Sequence, residues 1–155
     1  GAGGEIGHIK MRDDETDTCG CGKKGCLEQY ASATGIVRMA RQKLEADDSE
    51  TVLRSLENLT AKDIFDAAKD GDKIAAELVE KLCRILGTAL ANIASIVDPE
   101  VFVIGGGVSR AGAILIDGIK KQFTERTFHA CEATEITLAT LGNDAGMYGC
   151  VRLLF

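Results

Sequence analysis

The sequence is short of several things, and each shortage narrows what the protein does. It has no basic tract: 18 lysines and arginines stand against 24 aspartates and glutamates, for a net charge of −6. That balance argues against nucleic acid or an anionic membrane as the partner of this segment. No apolar run approaches the ~20 residues needed to span a bilayer, and no secretory leader is visible, so a cytoplasmic protein is expected. Internal repeats and low-complexity stretches are lacking as well. Two nucleotide signatures fail. The third glycine of a Gly-x-Gly-x-x-Gly begun at Gly105 falls on Arg110. Gly20 and Gly25 have P-loop spacing, but Cys26 stands where the lysine is required. Six cysteines would permit three disulfides. With much helix and no leader, reduced thiols are expected instead.

What is present is an ordinary globular composition, 45% apolar and 27% charged over 155 residues, enough for one domain with a normal core. The informative stretch is Glu5–Glu28. One of only two histidines, His8, precedes Cys19, Cys21 and Cys26. Three sulfurs and an imidazole nitrogen suit a closed tetrahedral zinc site, and Gly22 and Gly25 let the loop turn back to present Cys26. The spacing differs from paired Cys-x-x-Cys knuckles, and disulfides or inert thiols are the alternatives. Glu5 and Glu28 bracket these ligands, as expected where a metal holds a recognition surface in shape. Their plainer readings are a solvated loop carboxylate for Glu5 and a helix N-terminal charge for Glu28. The polar run 11–18 reads as a solvated loop.

Apolar spacing predicts a helix from Cys26 to about Ala46, carrying Leu27, Tyr30, Ala33, Val37, Ala40 and Leu44 on one stripe. A short helix with Val52, Leu53 and Leu56 follows, then one over 61–69 behind a Thr60/Asp63 capping box, with Ile64, Phe65 and Ala68 inward. A long helix spans 73–97, its stripe running to Ile96 and Val97, and Asp98-Pro99 stops it. Val101–Ile104 reads as a strand buried on both faces. A helix over about 110–126 carries Ile114, Leu115, Ile119 and Phe123, and a second strand over 135–141 lies parallel to the first. Asn143-Asp144 reads as a turn and cap before a last helix, 145–155. Cys83, Cys131 and Cys150 read as small space-fillers, and His129 as a surface histidine. Gly105-Gly106-Gly107 follows a strand and opens a helix, which lets backbone approach a ligand and sets a helix N-terminus to attract phosphate. A tight turn is the alternative. Two strands are too few to support so many helices, so an exposed sheet edge is expected, with self-association or a second chain covering it.

Gly-Glu-Ile-Gly-His (4–8), Cys-Gly-Cys-Gly-Lys-Lys-Gly-Cys-Leu-Glu (19–28), Ala-Ser-Ala-Thr-Gly (31–35), Val-Ile-Gly-Gly-Gly-Val-Ser (103–109) and Leu-Gly-Asn-Asp-Ala-Gly (141–146) together resemble the signature of the ROK family of bacterial sugar kinases and repressors. The resemblance implies an α/β chain: an incomplete C-terminal domain of an actin-like ATPase (ribonuclease H-like) fold, with a small, mostly parallel sheet. Its parts would be a zinc and sugar-recognition loop (1–28), a helical part (29–97) and a strand–helix–strand–helix part (98–155). It implies Zn2+ on His8, Cys19, Cys21 and Cys26, sugar on Glu5, His8 and Glu28, and adenosine against Gly105, Gly106 and Gly107. The family's Asp-x-Gly-Gly-Thr phosphate turn and catalytic aspartate are absent, so no catalytic residue is expected in this chain and the fragment alone is expected to be inactive. Residues 31–35 are most similar to the family's glucokinases. The implied reaction is transfer from ATP, with Mg2+, to the 6-hydroxyl of glucose or a related hexose, in company with an N-terminal domain and in a homo-oligomer. The alternatives are a sugar-sensing domain of a repressor and a fragment with a structural role only.

Overall fold

The computed structural model describes residues 3–154; the expected loop at Gly1 and Ala2 and the helix end at Phe155 lie outside the described residues. The core is built on the longest helix, Lys73–Val97. Its start is fixed by Asp72, one carboxylate oxygen of which accepts from the Ala75 amide (2.9 Å) while the other accepts from the Thr51 hydroxyl (2.7 Å) and the Val52 amide (2.9 Å). Its end is fixed by Asp98, in the left-handed region at φ 45°, ahead of Pro99. In chain order the helices are α1 (Ala33–Ala46), α2 (Ala61–Lys69), α3 (Lys73–Val97), α4 (Ala113–Thr124) and α5 (Ala145–Arg152), with strands β1 (Val101–Ile104) and β2 (Glu135–Leu138). The Thr60/Asp63 capping box forms as expected.

One core joins these elements, centred on Ile36, Ile64, Leu82, Leu115, Ile119 and Phe123. Helices α3 and α4 meet closely because glycines stand at the crossing. A Cβ on Gly87 would lie 2.7 Å from Gln122 Cβ, and one on Gly118 would lie 2.6 Å from Cys83 Sγ. Cys83 and Cys131 are buried space-fillers, and burial pushes the Cys83 thiol up to about 12. The two strands pair in parallel, Val101 opposite Glu135 and Ile104 opposite Leu138. Phe102 meets Phe123 of α4 edge-on at 6.2 Å.

Several expectations are corrected. The helix expected from Cys26 is a 3-10 turn, Leu27–Gln29, then a break, then α1. Gln29 and Tyr30 give their side chains to the preceding loop, and Ser32 Oγ caps α1 by accepting from the Gly35 amide at 2.9 Å. The expected short helix at 52–56 is a 3-10 turn, Val52–Ser55, that buries Leu53 and leaves Val52 and Leu56 exposed. Ala67 is buried where Ala68 was expected to be, Ala68 being only half-buried. Strand β1 is buried on one face only: Phe102 and Ile104 turn to the core, while Val101 (42% exposed) and Val103 (58%) face outward, since no described residue covers them. Ile96 and Val97 are likewise exposed, on the last turn of α3. A 3-10 turn, Gly107–Ala111, and Gly112 at φ 73° intervene before α4, which starts later than expected. Strand β2 ends at Leu138 rather than at 141. Asp144 makes no side-chain cap, and the Asn143 side chain is outside what is described. Cys150 is exposed on α5, which buries none of its described residues.

Candidate metal and sugar site

Residues 3–32 form a loop system folded against the start of α1. The limb at residues 9–12 runs beside 25–27: Met11 N donates to Gly25 O (2.7 Å) and Leu27 N to Ile9 O (2.8 Å). The limbs at Thr18 and Lys24 pair in antiparallel fashion. Gly25 makes this possible. Its φ is +80°, and a Cβ there would fall 1.9 Å from the Arg12 carbonyl oxygen.

The fold brings His8, Cys19, Cys21 and Cys26 together, with one ligand atom from each lying within 4.8 Å of all the others. His8 Nδ1 is 3.7 Å from Cys19 Sγ, and Cys21 Sγ is 3.6 Å from Cys26 Sγ. Zinc with Zn–S of about 2.3 Å and Zn–N of about 2.0 Å spaces tetrahedral ligands about 3.5–3.8 Å apart. The donor set and the spacing therefore fit a closed zinc tetrahedron. All six cysteines are free thiols, as expected for reduced cysteines. The Cys21 amide pulls the Cys19 thiol down by hydrogen bonding, but the Glu28 carboxylate and burial outweigh it and push the thiol up to about 12. Burial raises Cys26, whereas the Lys23 amide lowers Cys21.

Glu28 belongs to this cluster. Its Oε1 accepts from Cys19 Sγ at 2.8 Å and lies 3.8 Å from His8 Nδ1. A Cβ on Gly7 would lie 3.6 Å from Glu28 Cβ, so the 3-10 turn Ile6–His8 and the turn Leu27–Gln29 are neighbours. Glu5 begins the first of these turns on the exposed surface. A cavity of about 360 Å3 opens between the loop and α1, lined by Asp17, Glu28, Ser32, Thr34 and Arg38 among others. Size does not select it. A hollow of about 820 Å3 beside Asp47 and Lys73 is larger, but it includes none of the cysteine, histidine or Gly105–Gly107 elements.

The glycine turn lies on the same side of the molecule. A Cβ on Gly107 would lie 3.1 Å from Ala33 Cβ, at the start of α1 and five residues on from Glu28. Gly106 has φ 80° and ψ −166°, a conformation open to glycine alone. The turn opens the 3-10 segment rather than α4 itself, because Gly112 separates the two. His129 is exposed, meets Phe128 edge-on, and is not among the clustered ligands.

Sequence reading missed the residues that tether the loop. The run 11–18 is exposed over most of its length, as expected, but it is also anchored at Glu15 and Asp17. Arg38 of α1 donates to Glu15 (2.7 Å) and Asp17 (2.7 Å), and the Tyr30 hydroxyl donates to Glu15 at 2.5 Å. The Glu15 side chain is only 7% exposed, and its Arg38 partner holds its carboxyl down at about 2. The only trace in the sequence was an acidic run upstream of an arginine-bearing helix, a pattern that solvated loops share.

A family model described as the ROK family matches residues 1–154. The chain belongs to the ROK family. The ROK chain is 44% identical over 153 residues to a glucokinase of Halalkalibacterium halodurans, a match covering 96% of this chain and 46% of that protein. It resembles the crystal structure of a ROK family glucokinase from Streptomyces griseus in complex with glucose and AMPPNP, with TM-score 0.83 and 37% identity over 96% of this chain and 50% of that one. It is 26% identical to a xylose repressor of Caldicellulosiruptor bescii, over 99% of this chain and 39% of that protein. The chain thus spans about half the length of the kinases it matches, and its helix-rich fold, with a two-stranded parallel sheet among the described residues, superposes on the corresponding half of a ROK glucokinase. No helix among the described residues is long and apolar enough to cross a membrane.

Proposed function

We propose that this chain is the zinc-bearing, sugar-recognising half of a cytoplasmic ATP-dependent glucokinase. The observation that carries the reading is convergence: the Glu28–cysteine cluster and the Gly105–Gly107 turn both abut the start of α1. A kinase must bring a hydroxyl-bearing acceptor and a triphosphate to one place. The identity to a glucokinase supports glucose as the acceptor.

His8, Cys19, Cys21 and Cys26 would hold Zn2+, whose contribution is a crosslink that fixes the loop. His8 Nδ1 faces the thiols, which leaves Nε2 for a sugar hydroxyl. Glu28, and Glu5 beside the Ile6–His8 turn, accept hydrogen bonds from sugar hydroxyls, the natural partners of carboxylates. Backbone at Gly105, Gly106 and Gly107 admits the nucleotide closely. The γ-phosphoryl group leaves the bridging oxygen of ATP for the sugar 6-oxygen, with Mg2+ on the phosphates, and the hydroxyl proton passes to a base. No residue of this cluster is placed as that base. It would come from an N-terminal domain, and the chain alone would not turn over.

In the enzyme that includes both halves, Glu28→Gln raises KM for glucose about tenfold or more, the loss of one charged hydrogen-bond partner. An unchanged KM across glucose, mannose, fructose, allose and N-acetylmannosamine would remove Glu28 from the sugar site. The similarity to a xylose repressor favours one other reading, a sugar sensor within a DNA-binding protein. Operator binding relieved by sugar, without phosphorylation, would establish it.

A further inference from the structure

Gln29 follows Glu28 and makes three hydrogen bonds with one amide group. Its Oε1 accepts from the Gly25 amide at 2.8 Å and from the Cys26 amide at 3.0 Å. Its Nε2 donates to the Asp17 carbonyl at 3.0 Å. The bond to Cys26 is what any capping box would make at the start of a turn. The other two are not. They reach the two limbs of the cysteine loop, one two residues before Cys19 and one directly before Cys26.

The clip is itself anchored. Arg38 Nη2 donates to the Gln29 carbonyl at 3.1 Å, and Arg38 Nη1 donates to the Asp17 carboxylate at 2.7 Å, where Gln42 adds a bond at 3.2 Å. Arg38 thus ties α1 to the backbone at one end of the clip and to the side chain of the residue at the other. Beside the Thr18–Lys24 pairing, the limbs that carry Cys19 and Cys26 are therefore joined by a side chain that touches neither sulfur. Glu28, held between Cys26 and Gln29, takes its place from the same clip.

The geometry points to Gln29 as a positioning residue: it holds the two cysteine limbs at the separation four tetrahedral ligands require, with Arg38 fixing it to α1. This rests on the zinc reading proposed above. Groups that orient metal ligands without touching the metal are worth about 10–100-fold in affinity. The test is zinc affinity of the protein measured by chelator competition at about pH 7, together with the visible absorption of the cobalt-substituted form. Gln29→Met, similar in volume but unable to accept or donate, is expected to weaken zinc by at least about fivefold and to alter the cobalt bands. Gln29→Glu keeps the acceptor for both amides but sets a carboxylate oxygen against the Asp17 carbonyl, so it opens the clip at that limb and is also expected to weaken zinc. It also decides the matter where Gln29→Met does not fold. A loss below about fivefold in Gln29→Met, or unchanged zinc affinity in Gln29→Glu, overturns the positioning role. A parent protein that holds no zinc at all overturns the zinc reading instead, and this inference with it.

Discussion

At Gly25 the backbone takes φ +80° where a Cβ would sit 1.9 Å from the Arg12 carbonyl oxygen. Any side chain must either displace the 9–12 limb or abandon the turn, and both options remove the pairing that presents Cys26. Gly25→Ala is expected to cost about 2–4 kcal/mol, checked by chemical denaturation; a cost below about 0.5 kcal/mol would contradict the turn. Glu15 gives the residue scale its pH dependence. Arg38 lowers its carboxyl from the ordinary 4.5 to about 2, so the ion pair stabilises fully above about 4.5 and is lost as pH falls from there towards 2. The stability gap between the parent and Glu15→Gln should therefore be flat from neutral pH down to about 5 and shrink below that. A gap unchanged down to pH of about 3 would contradict it. The ligands His8, Cys19, Cys21 and Cys26 were legible because their chemistry is rare and closely spaced. Arg38, Glu15 and Gln29 were not, because hydrogen-bond partners 9 to 23 residues apart leave no periodic mark.

Among the elements, α3 was legible to the residue, because Asp72 and Asp98-Pro99 punctuate both ends. The helix read from Cys26 to Ala46 was not. The stripe of Leu27, Tyr30 and Ala33 continues through a break that only the competing side-chain bonds of Gln29 and Tyr30 and the Ser32 cap explain. The crossing of α3 and α4 supplies a test in which two effects oppose each other. In Gly87→Ala the helix backbone gains about 1 kcal/mol. The new methyl lies 2.7 Å from Gln122 Cβ and 3.0 Å from the Phe123 amide nitrogen, which must move with its helix. Overpacking of that kind costs about 1–3 kcal/mol, so the net change is expected to be destabilising. A denaturation midpoint above the parent's would show that the helices part without cost.

Among the described residues, apolar surface is left uncovered on the outer face of β1 at Val101 and Val103, at the end of α3 at Ile96 and Val97, on α5 at Met147, Tyr148, Val151, Leu153 and Leu154, and at scattered positions such as Val52 and Phe128. An apolar run such as Val101–Ile104 says that a strand is wanted in a core; it does not say whether this chain supplies the cover. Surfaces of this kind recruit partners or aggregate. The chain alone is expected to associate as its concentration rises, and Val103→Lys to reduce that association, both followed by sedimentation. A monomer that binds no hydrophobic dye would contradict the expectation. Under the proposed function, the approach of Gly107 to Ala33 joins the Glu28 and Gly105–Gly107 motifs, 75 residues or more apart, at the start of α1. The most direct measurement is ATP-dependent phosphorylation of glucose by the protein containing both halves, for the parent and for Gly107→Val. Turnover is expected in the parent. In the variant, binding of both glucose and ATP is expected to weaken, because a branched side chain at Gly107 would push on Ala33. A variant impaired for ATP alone, with glucose binding intact, would contradict the shared centre.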